Sequence, residues 1–323
     1  MKNKVLDGLL GLCVGDALGV PVEFKSRGSL KKDPVIGMNL RKSGKIQRGT
    51  YNQLPGTWSD DSSLAFCLAE SLCEQFDLRD VGDKFCDWFQ QSYWTPRGVV
   101  FDIGTTTLHS ITKLRNEIEK PEDCGGKKVS DNGNGSLMRI LPLAYHVKDM
   151  PIEKQFELTH KVSCLTHGHL RSQMSCGIYI QIAVNLLEGD ELNEAYEKAR
   201  INTSNFYAEK PYSDELKHFS KVLENDISQY PEDEIESSGY VISTLEAALW
   251  SLLTSDSYEE TVLKAVNLGY DTDTTAAIAG GLAGIYYGAE NIPKKWVEQI
   301  ARKDDIKDLA ERLNSKLYGG ENA

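Results

Sequence analysis

The segment GYDTDTTAAIAGG, residues 269–281, opens a run of small apolar residues with two aspartates that alternate with threonines, Asp271 and Asp273. Asp and Thr are favoured at helix N-termini, where they accept hydrogen bonds from unpaired backbone N–H groups and suit the positive end of the helix dipole. The pattern therefore predicts a helix that begins inside this run. Capping alone explains any one such run, so the rest of the chain must decide whether the carboxylates have a second role.

A second acidic run, GTWSDDSSLAFCLAESL at residues 56–72, repeats the arrangement, with Ser59, Asp60 and Asp61 directly before an amphipathic pattern. One helix N-terminus needs a single capping group, so four carboxylates at two helix starts exceed what capping requires. If the two starts meet in space, the carboxylates repel one another and need protons or cations between them. Oxygen ligands of this kind suit hard divalent ions such as Mg²⁺, Mn²⁺ or Ca²⁺ rather than zinc.

Helical periodicity runs through most of the 323 residues, and hardly any segment alternates with period two. No repeat and no linker divides the chain, so we predict a single domain over residues 1–323, an all-α compact multi-helix bundle. The stretches 25–55 and 121–135 are rich in turn-forming residues. We expect them to be long loops that carry function.

The chain is acidic: it has 36 Lys and Arg residues against 48 Asp and Glu residues, for a formal charge of −12. An acidic surface argues against binding of nucleic acid, whose affinity for proteins comes mostly from cationic contacts. Seven cysteines without C-x-x-C spacing indicate reduced thiols and a cytoplasmic location.

The N-terminal stretch MKNKVLDGLLGLCVGDALG superficially resembles a signal peptide. Asp7 and Asp16 interrupt its apolar run, and Leu12 before Cys13 is not the small residue that a cleavage site needs. We therefore expect a mature first helix. The longest uncharged stretch, residues 274–289, is too short to cross a bilayer, so no membrane span is expected.

A third segment, DNGNGSLMRILPLA at residues 131–144, places glycines on both sides of Asn134 and predicts a helix that opens near Ser136. Backbone N–H groups in such a loop point toward a helix entrance and can hold a phosphate. A plain helix-entry turn has the same sequence features, so the loop alone is weak support for a binding site.

Two shorter segments are less specific. LTHGHLRS places His167 and His169 in a glycine-containing turn, without cysteines at zinc-site spacing, so hydrogen bonding is the favoured role. FDIGTTT places Asp102 before another helix start, where capping is the simplest explanation.

Taken in order, the motifs resemble the ADP-ribosylglycohydrolase family. GLCVGDALGVPVEF, GTWSDDSS, FDIG, GNGSLMR, LTHGH, SGYVISTLEAALW and GYDTDTTAAIAGGLAG follow one another over nearly the whole chain. Each motif is modest by itself, but the ordered set is highly specific. The resemblance implies an all-α bundle that binds two divalent cations, Mg²⁺ or Mn²⁺, in a central cleft. It also implies hydrolysis of the bond between ADP-ribose and a protein side chain, most often arginine.

The resemblance also implies a metal-ligand set, which this chain retains with one change. Ser59 stands where many family members have Thr, and its hydroxyl oxygen is kept. Asp16 is expected to be structural and to hold its loop. The implied ligands are Ser59, Asp60, Asp61, Asp271, Asp273 and Thr274.

Catalytic and substrate-binding residues follow from the same resemblance. Glu23 matches a glutamate with metal-contacting or catalytic roles, and Asp102 matches the aspartate proposed as acid/base in the arginine-directed branch; both stay candidates, together with Asp61. An ADP-ribosylated protein and ADP-ribose are the implied binding partners. The loop of Gly133, Asn134, Gly135 and Ser136 would hold the diphosphate, His167 would contact ADP-ribose, Gly239 and Tyr240 would line the adenosine end, and Gly104 would contact substrate.

Other functions fit the same motifs. A related enzyme could act on ADP-ribosylated serine, on a small-molecule ADP-ribosyl adduct or on a nucleic-acid adduct, the last being least expected for an acidic chain. A relative of another class could bind ADP-ribose without turnover, or block another protein directly. The complete set of implied ligands argues against loss of catalysis but is compatible with a sensor.

Overall fold

The computed structural model describes residues 3–117 and 119–319. Within them the chain forms mainly α-helices, joined by loops, short 3-10 turns and one small hairpin, which confirms the predicted all-α class. The helices are α1 (Lys4–Gly19), α2 (Arg27–Lys32), α3 (Asp60–Leu72), α4 (Leu78–Gln91), α5 (Thr105–Arg115), α6 (Pro142–Val147), α7 (Ile152–Cys164), α8 (Leu170–Glu188), α9 (Leu192–Phe206), α10 (Ser220–Leu223), α11 (Val241–Leu253), α12 (Tyr258–Asn267), α13 (Thr272–Tyr287), α14 (Lys294–Val297) and α15 (Lys303–Tyr318).

Helices α1 and α13 pack against each other at the centre of the molecule. Gly15 of α1 lies so close to α13 that an added Cβ would overlap the carbonyl of Ala276, and a Cβ at Gly280 would lie 2.5 Å from the carbonyl oxygen of Gly11. Because only hydrogen atoms separate the two backbones at these points, larger side chains are excluded. The small residues that follow Asp273 therefore allow α13 to pack directly against α1 in the core.

Helix α1 is also apolar enough to be compared with a membrane span. The segment Lys4–Val22 has the length and composition to cross a bilayer, but 94% of its most apolar window is buried inside the protein. Its apolar residues are accounted for by packing against the neighbouring helices.

Two local predictions need correction. The stretch 25–55 is not simply a loop, since it contains α2 and a small antiparallel hairpin of β1 (Val35–Gly37) and β2 (Leu40–Arg41). No α-helix opens near Ser136; turns lead instead to α6, which begins at Pro142. Proline has no N–H to donate to the residue four positions earlier, so it fits the first turn of a helix and not its interior.

Candidate active site

The two acidic helix starts meet in space. The Thr274 hydroxyl of α13 donates a hydrogen bond to Asp61 Oδ1 of α3, at 3.2 Å. Carboxylate oxygens of Asp16, Asp61 and Asp273 all lie within 4.8 Å of one another, and all three residues are buried. The condition that the sequence left open, contact between the two segments, is therefore met.

Ser59 and Asp16 cap the start of α3, so capping does not use the side chain of Asp61. Ser59 Oγ accepts from the Asp61 N–H (3.3 Å), and Asp16 accepts from the N–H groups of Ser59 (2.9 Å) and Ser62 (3.0 Å). Asp271 occupies the N-cap position of α13 but makes no side-chain capping bond. Asp16 lies within α1 and not in a loop, and its structural role is to hold the start of α3; the side chain of Asp61 is surplus to capping.

A second carboxylate group shares Asp273 with the first. Oxygens of Glu23, Asp102 and Asp273 lie within 4.8 Å of one another. Asp102 has a φ of 54°, in the left-handed region that is uncommon for residues other than glycine. It does not cap α5, whose N-cap residue is Gly104; it accepts instead from the hydroxyl of Tyr51.

The electrostatics of the cluster favour binding of either protons or cations. Burial, reinforced by neighbouring carboxylates, raises the pKa of Asp60, Asp61 and Asp273 well above the ordinary range. Burial and the charge of Asp102 raise the pKa of Glu23 to about 9. At neutral pH such a cluster takes up protons unless divalent cations supply the compensating charge.

Buried carboxylate oxygens in this cluster fit the chemistry of a metal site. Asp61 Oδ2, Asp273 Oδ1 and Glu23 Oε2 are buried without a hydrogen-bond partner among the residues that the structure describes. An unpaired buried carboxylate oxygen is costly unless it coordinates a metal or carries a proton. The donor set contains only oxygen, which is the preference of hard divalent ions.

The cluster opens onto a cleft of about 240 Å³. Helices α3, α5 and α13 each direct their N-terminal end toward it. Most of the residues implied by the resemblance line this cleft: Glu23, Asp60, Asp61, Asp102, Gly104, Gly133, Asn134, Gly135, Gly239, Asp271 and Thr274.

The glycine loop forms one wall of the cleft. The Asn134 N–H donates to the Gly239 carbonyl (3.2 Å), and its side-chain amide donates to Asp271 Oδ2 (2.8 Å). The N–H groups of Gly135 and Ser136 have no hydrogen-bond acceptor within residues 3–117 and 119–319. Ser136 is fully buried and does not line the cleft, whereas Gly133, Asn134 and Gly135 do.

Several implied residues lie behind the cleft or beside it. His167 is 2% exposed, close to Gly135, and its Nδ1 shares a hydrogen bond with the Thr166 hydroxyl (2.9 Å). Burial lowers the pKa of His167 to about 3, so this side chain is neutral. The Tyr240 hydroxyl accepts from Arg171 at 3.3 Å, away from the cleft lining. Asp273 and Ser59 also do not line the cleft.

Sequence reasoning missed some of the lining. Residues 105–107, Ser130 and Met138 face the cleft, and Tyr51 contacts it through Asp102. The three consecutive threonines after Gly104 were a usable signal, because a helix start that follows a glycine presents free N–H groups. No local signal could have placed Tyr51, since its partner is distant in the chain.

The fold and the cleft together define a helical protein whose buried carboxylate cluster is suited to divalent cations. The family model of ADP-ribosylglycohydrolase matches residues 1–323, and the chain belongs to this family. The family comprises ADP-ribosyl hydrolases, which confirms the resemblance read from the ordered motifs.

Known proteins similar to the chain are named as hydrolases of ADP-ribosyl groups. It is 32% identical over 316 residues to "ADP-ribosylarginine hydrolase Tri1" of Serratia proteamaculans (strain 568), covering 96% of this chain and 79% of that protein. It is 27% identical over 307 residues to "ADP-ribosyl-[dinitrogen reductase] glycohydrolase" of Rhodospirillum rubrum, covering 94% and 92%. It is 27% identical over 352 residues to "ADP-ribosylhydrolase ARH3" of Danio rerio, covering 97% and 90%.

A solved structure has the same fold. The chain superposes on an "ADP-ribosylglycohydrolase-related protein complex" with a TM-score of 0.78 and 29% identity, covering 98% of each chain. The helical architecture is therefore that of the family along nearly its whole length.

Proposed function

We propose that this protein removes ADP-ribose from arginine side chains of ADP-ribosylated proteins, using two divalent cations, Mg²⁺ or Mn²⁺. The observation that carries the proposal is a cluster of unpaired, buried carboxylate oxygens, of which those of Glu23 and Asp61 belong to residues that line the cleft beside the Asn134 loop. Two relatives named for arginine or dinitrogen reductase substrates support the arginine linkage.

The cations would be held by the implied set, with Asp61 and Asp273 supplying the buried oxygens that lack partners. When bound, such ions act as Lewis acids that orient the ribose hydroxyls and make a water molecule more acidic. The complete proposed ligand set is Ser59, Asp60, Asp61, Asp271, Asp273 and Thr274.

Proton transfer is assigned to the pair Glu23 and Asp102. Hydrolysis of the C1″–N bond passes through an oxocarbenium-like transition state; water adds to C1″ and the departing guanidine nitrogen takes a proton. With a pKa of about 9, Glu23 is protonated at neutral pH and donates a hydrogen bond to Asp102. Asp102 also accepts a hydrogen bond from the Tyr51 hydroxyl. The pair thus offers one proton donor and one acceptor at the cleft.

Substrate binding is assigned to the loops around the cleft. The free N–H groups of Gly135 and Ser136 would bind the diphosphate, as backbone donors in a glycine loop do. Neutral His167 behind this loop would support the bound ADP-ribose. We assign the adenosine end to Gly239 and Tyr240, and a further substrate contact to Gly104. The free cysteines support a cytoplasmic location. We also propose that residues 1–323 act as a single domain.

The test is release of ADP-ribose from ADP-ribosylarginine and from a serine-linked ADP-ribosylated peptide, each with Mn²⁺ or Mg²⁺ and then with EDTA. We expect metal-dependent release from the arginine substrate, loss of release in Asp61→Asn, and unchanged release in the matched control Asp304→Asn, an exposed carboxylate on α15. Release from the serine substrate alone would contradict the arginine linkage. Tight ADP-ribose binding without any release would identify a sensor.

A further inference from the structure

Residues 25–48 form a strongly basic segment in an acidic protein. They contain eight Lys or Arg residues and a single carboxylate, Asp33, for a formal charge of +7. Because the whole chain totals −12, the remaining residues carry −19. This basic segment corresponds to α2, the β1–β2 hairpin and the turn that follows it.

Most of these cations are not used by the fold. Lys31 pairs with Glu232 at 2.9 Å, and buried Arg41 lies beside Asp33. Like charges held close together repel one another, so unpaired cations in one segment do not stabilise the fold. Five cations are exposed and form no ion pair within the described part of the chain: Lys25, Lys32, Lys42, Lys45 and Arg48.

Both ends of the basic segment are anchored at the candidate active site. Glu23 precedes it and lines the cleft, and Tyr51 follows it and donates to Asp102. Gly49, at a φ of 70°, lies so close to the chain before Glu23 that an added Cβ would be 2.8 Å from the Val20 carbonyl oxygen. The chain around Arg48 is therefore fixed next to the residues that lead into the cleft.

The hairpin also folds back on itself, which brings the backbone of Lys45 beside that of Arg41. The Gln47 N–H donates to the Asn39 carbonyl (2.7 Å), and the Arg41 N–H donates to the Lys45 carbonyl (3.0 Å). A positive surface at the entrance of a site attracts a negative partner and orients it as it arrives. We propose that the basic segment is the docking surface for an acidic stretch of the ADP-ribosylated protein beside the modified side chain.

A protein partner is favoured over nucleic acid by the surrounding charge. Outside residues 25–48 the chain carries −19, and the acidic 3-10 turn Glu232–Glu234 lies beside α2. A nucleic-acid backbone extends over many phosphates and would meet these carboxylates, whereas a short acidic peptide stretch would not. The inference rests on the proposed function, since it assigns a role in choosing that function's substrate.

The test uses three arginine-linked probes: free ADP-ribosylarginine, a 20-residue peptide with the modified arginine between glutamates, and the same peptide with every glutamate replaced by glutamine. Hydrolysis is measured at low and high salt, and fluorescence anisotropy measures binding of both peptides independently of turnover. At low salt we expect kcat/KM for the acidic peptide to exceed that of the glutamine peptide by about tenfold, from electrostatic steering. High salt should remove the difference.

The variant Lys42→Glu, Lys45→Glu, Arg48→Glu should abolish the preference without changing hydrolysis of free ADP-ribosylarginine. The matched control makes the same change in charge at three exposed lysines away from the cleft lining: Lys154→Glu, Lys198→Glu, Lys210→Glu. It should keep most of the preference, because distant exposed charges are screened by salt.

The outcomes separate the two proposals. Hydrolysis of all three probes with equal kcat/KM, or equal loss of preference in both triple variants, would overturn the docking surface and leave the proposed function intact. No release from any probe would overturn the proposed function, while tighter salt-sensitive binding of the acidic peptide would still support the surface. An RNA oligonucleotide that binds at physiological salt, with no difference between the peptides, would overturn the choice of a protein partner.

Discussion

Chelation of the divalent cations should make this protein less stable as the pH rises. The folded state holds a proton on Glu23, whose pKa is raised by burial from 4.5 to about 9. The unfolded chain releases that proton above pH 4.5, so the stability from this group is complete at low pH and is lost as the pH rises toward 9. Each pH unit inside that interval costs about 1.4 kcal/mol for one proton.

The informative window is pH 6.5 to 8.0. Burial lowers the pKa of His160 to about 4 and that of His167 to about 3. Their contribution to the free energy of unfolding therefore rises with pH only up to about 6.5, the ordinary pKa of histidine. Cysteine thiols begin to titrate in the unfolded chain above this window. Across it, Glu23 alone lowers the free energy of unfolding by about 2 kcal/mol, or about 3 °C in Tm for a chain of this length. Asp60, Asp61 and Asp273 act in the same direction.

The assay is urea unfolding followed by circular dichroism, in EDTA and with saturating Mn²⁺. In EDTA we expect the free energy of unfolding to fall as the pH rises. With Mn²⁺ we expect it to stay constant or to rise, because the cation replaces the protons. Glu23→Gln should make the fall of the unfolding free energy with pH shallower by about 1.4 kcal/mol per pH unit, which corresponds to one proton. Glu311→Gln, an exposed control on α15, should leave the fall unchanged. A flat profile for the chelated wild type, or the wild-type slope in Glu23→Gln, would refute the electrostatic reasoning.

Three further predictions concern packing, catalysis and binding. Gly15→Val should lower the free energy of unfolding by at least about 3 kcal/mol in urea, because the side chain would collide with the Ala276 carbonyl; a near-neutral result would contradict the close packing of α1 and α13. Asp102→Asn should lower the rate of ADP-ribosylarginine hydrolysis by about 10²- to 10⁴-fold while calorimetry still shows two Mn²⁺ bound; an unchanged rate would remove Asp102 from proton transfer. Asn134→Ala loses the hydrogen bond to Asp271 and should weaken ADP-ribose binding by about tenfold, measured by calorimetry; unchanged affinity would show that the loop does not depend on this bond.

Local sequence features predicted the helices well, because capping residues and apolar spacing act over only a few positions. The starts of α3 at Asp60 and α13 at Thr272 both fall inside the acidic runs that predicted them. The prediction failed near Ser136, where apolar spacing suggested a helix but Pro142 sets the start of α6.

The sequence by itself therefore determined the class of fold, the positions of the acidic helix starts, and a surplus of carboxylates over capping needs. It did not determine that Asp61 and Thr274 touch, or that Glu23 and Asp102 share a site with Asp273. Those contacts join residues far apart in the chain. Glycines let α1 pack directly against α13, so that the backbone of Asp273 lies against Gly19 at the end of α1. Burial at that crossing, which only the tertiary structure decides, turns ordinary helix-start aspartates into a cluster that needs protons or cations.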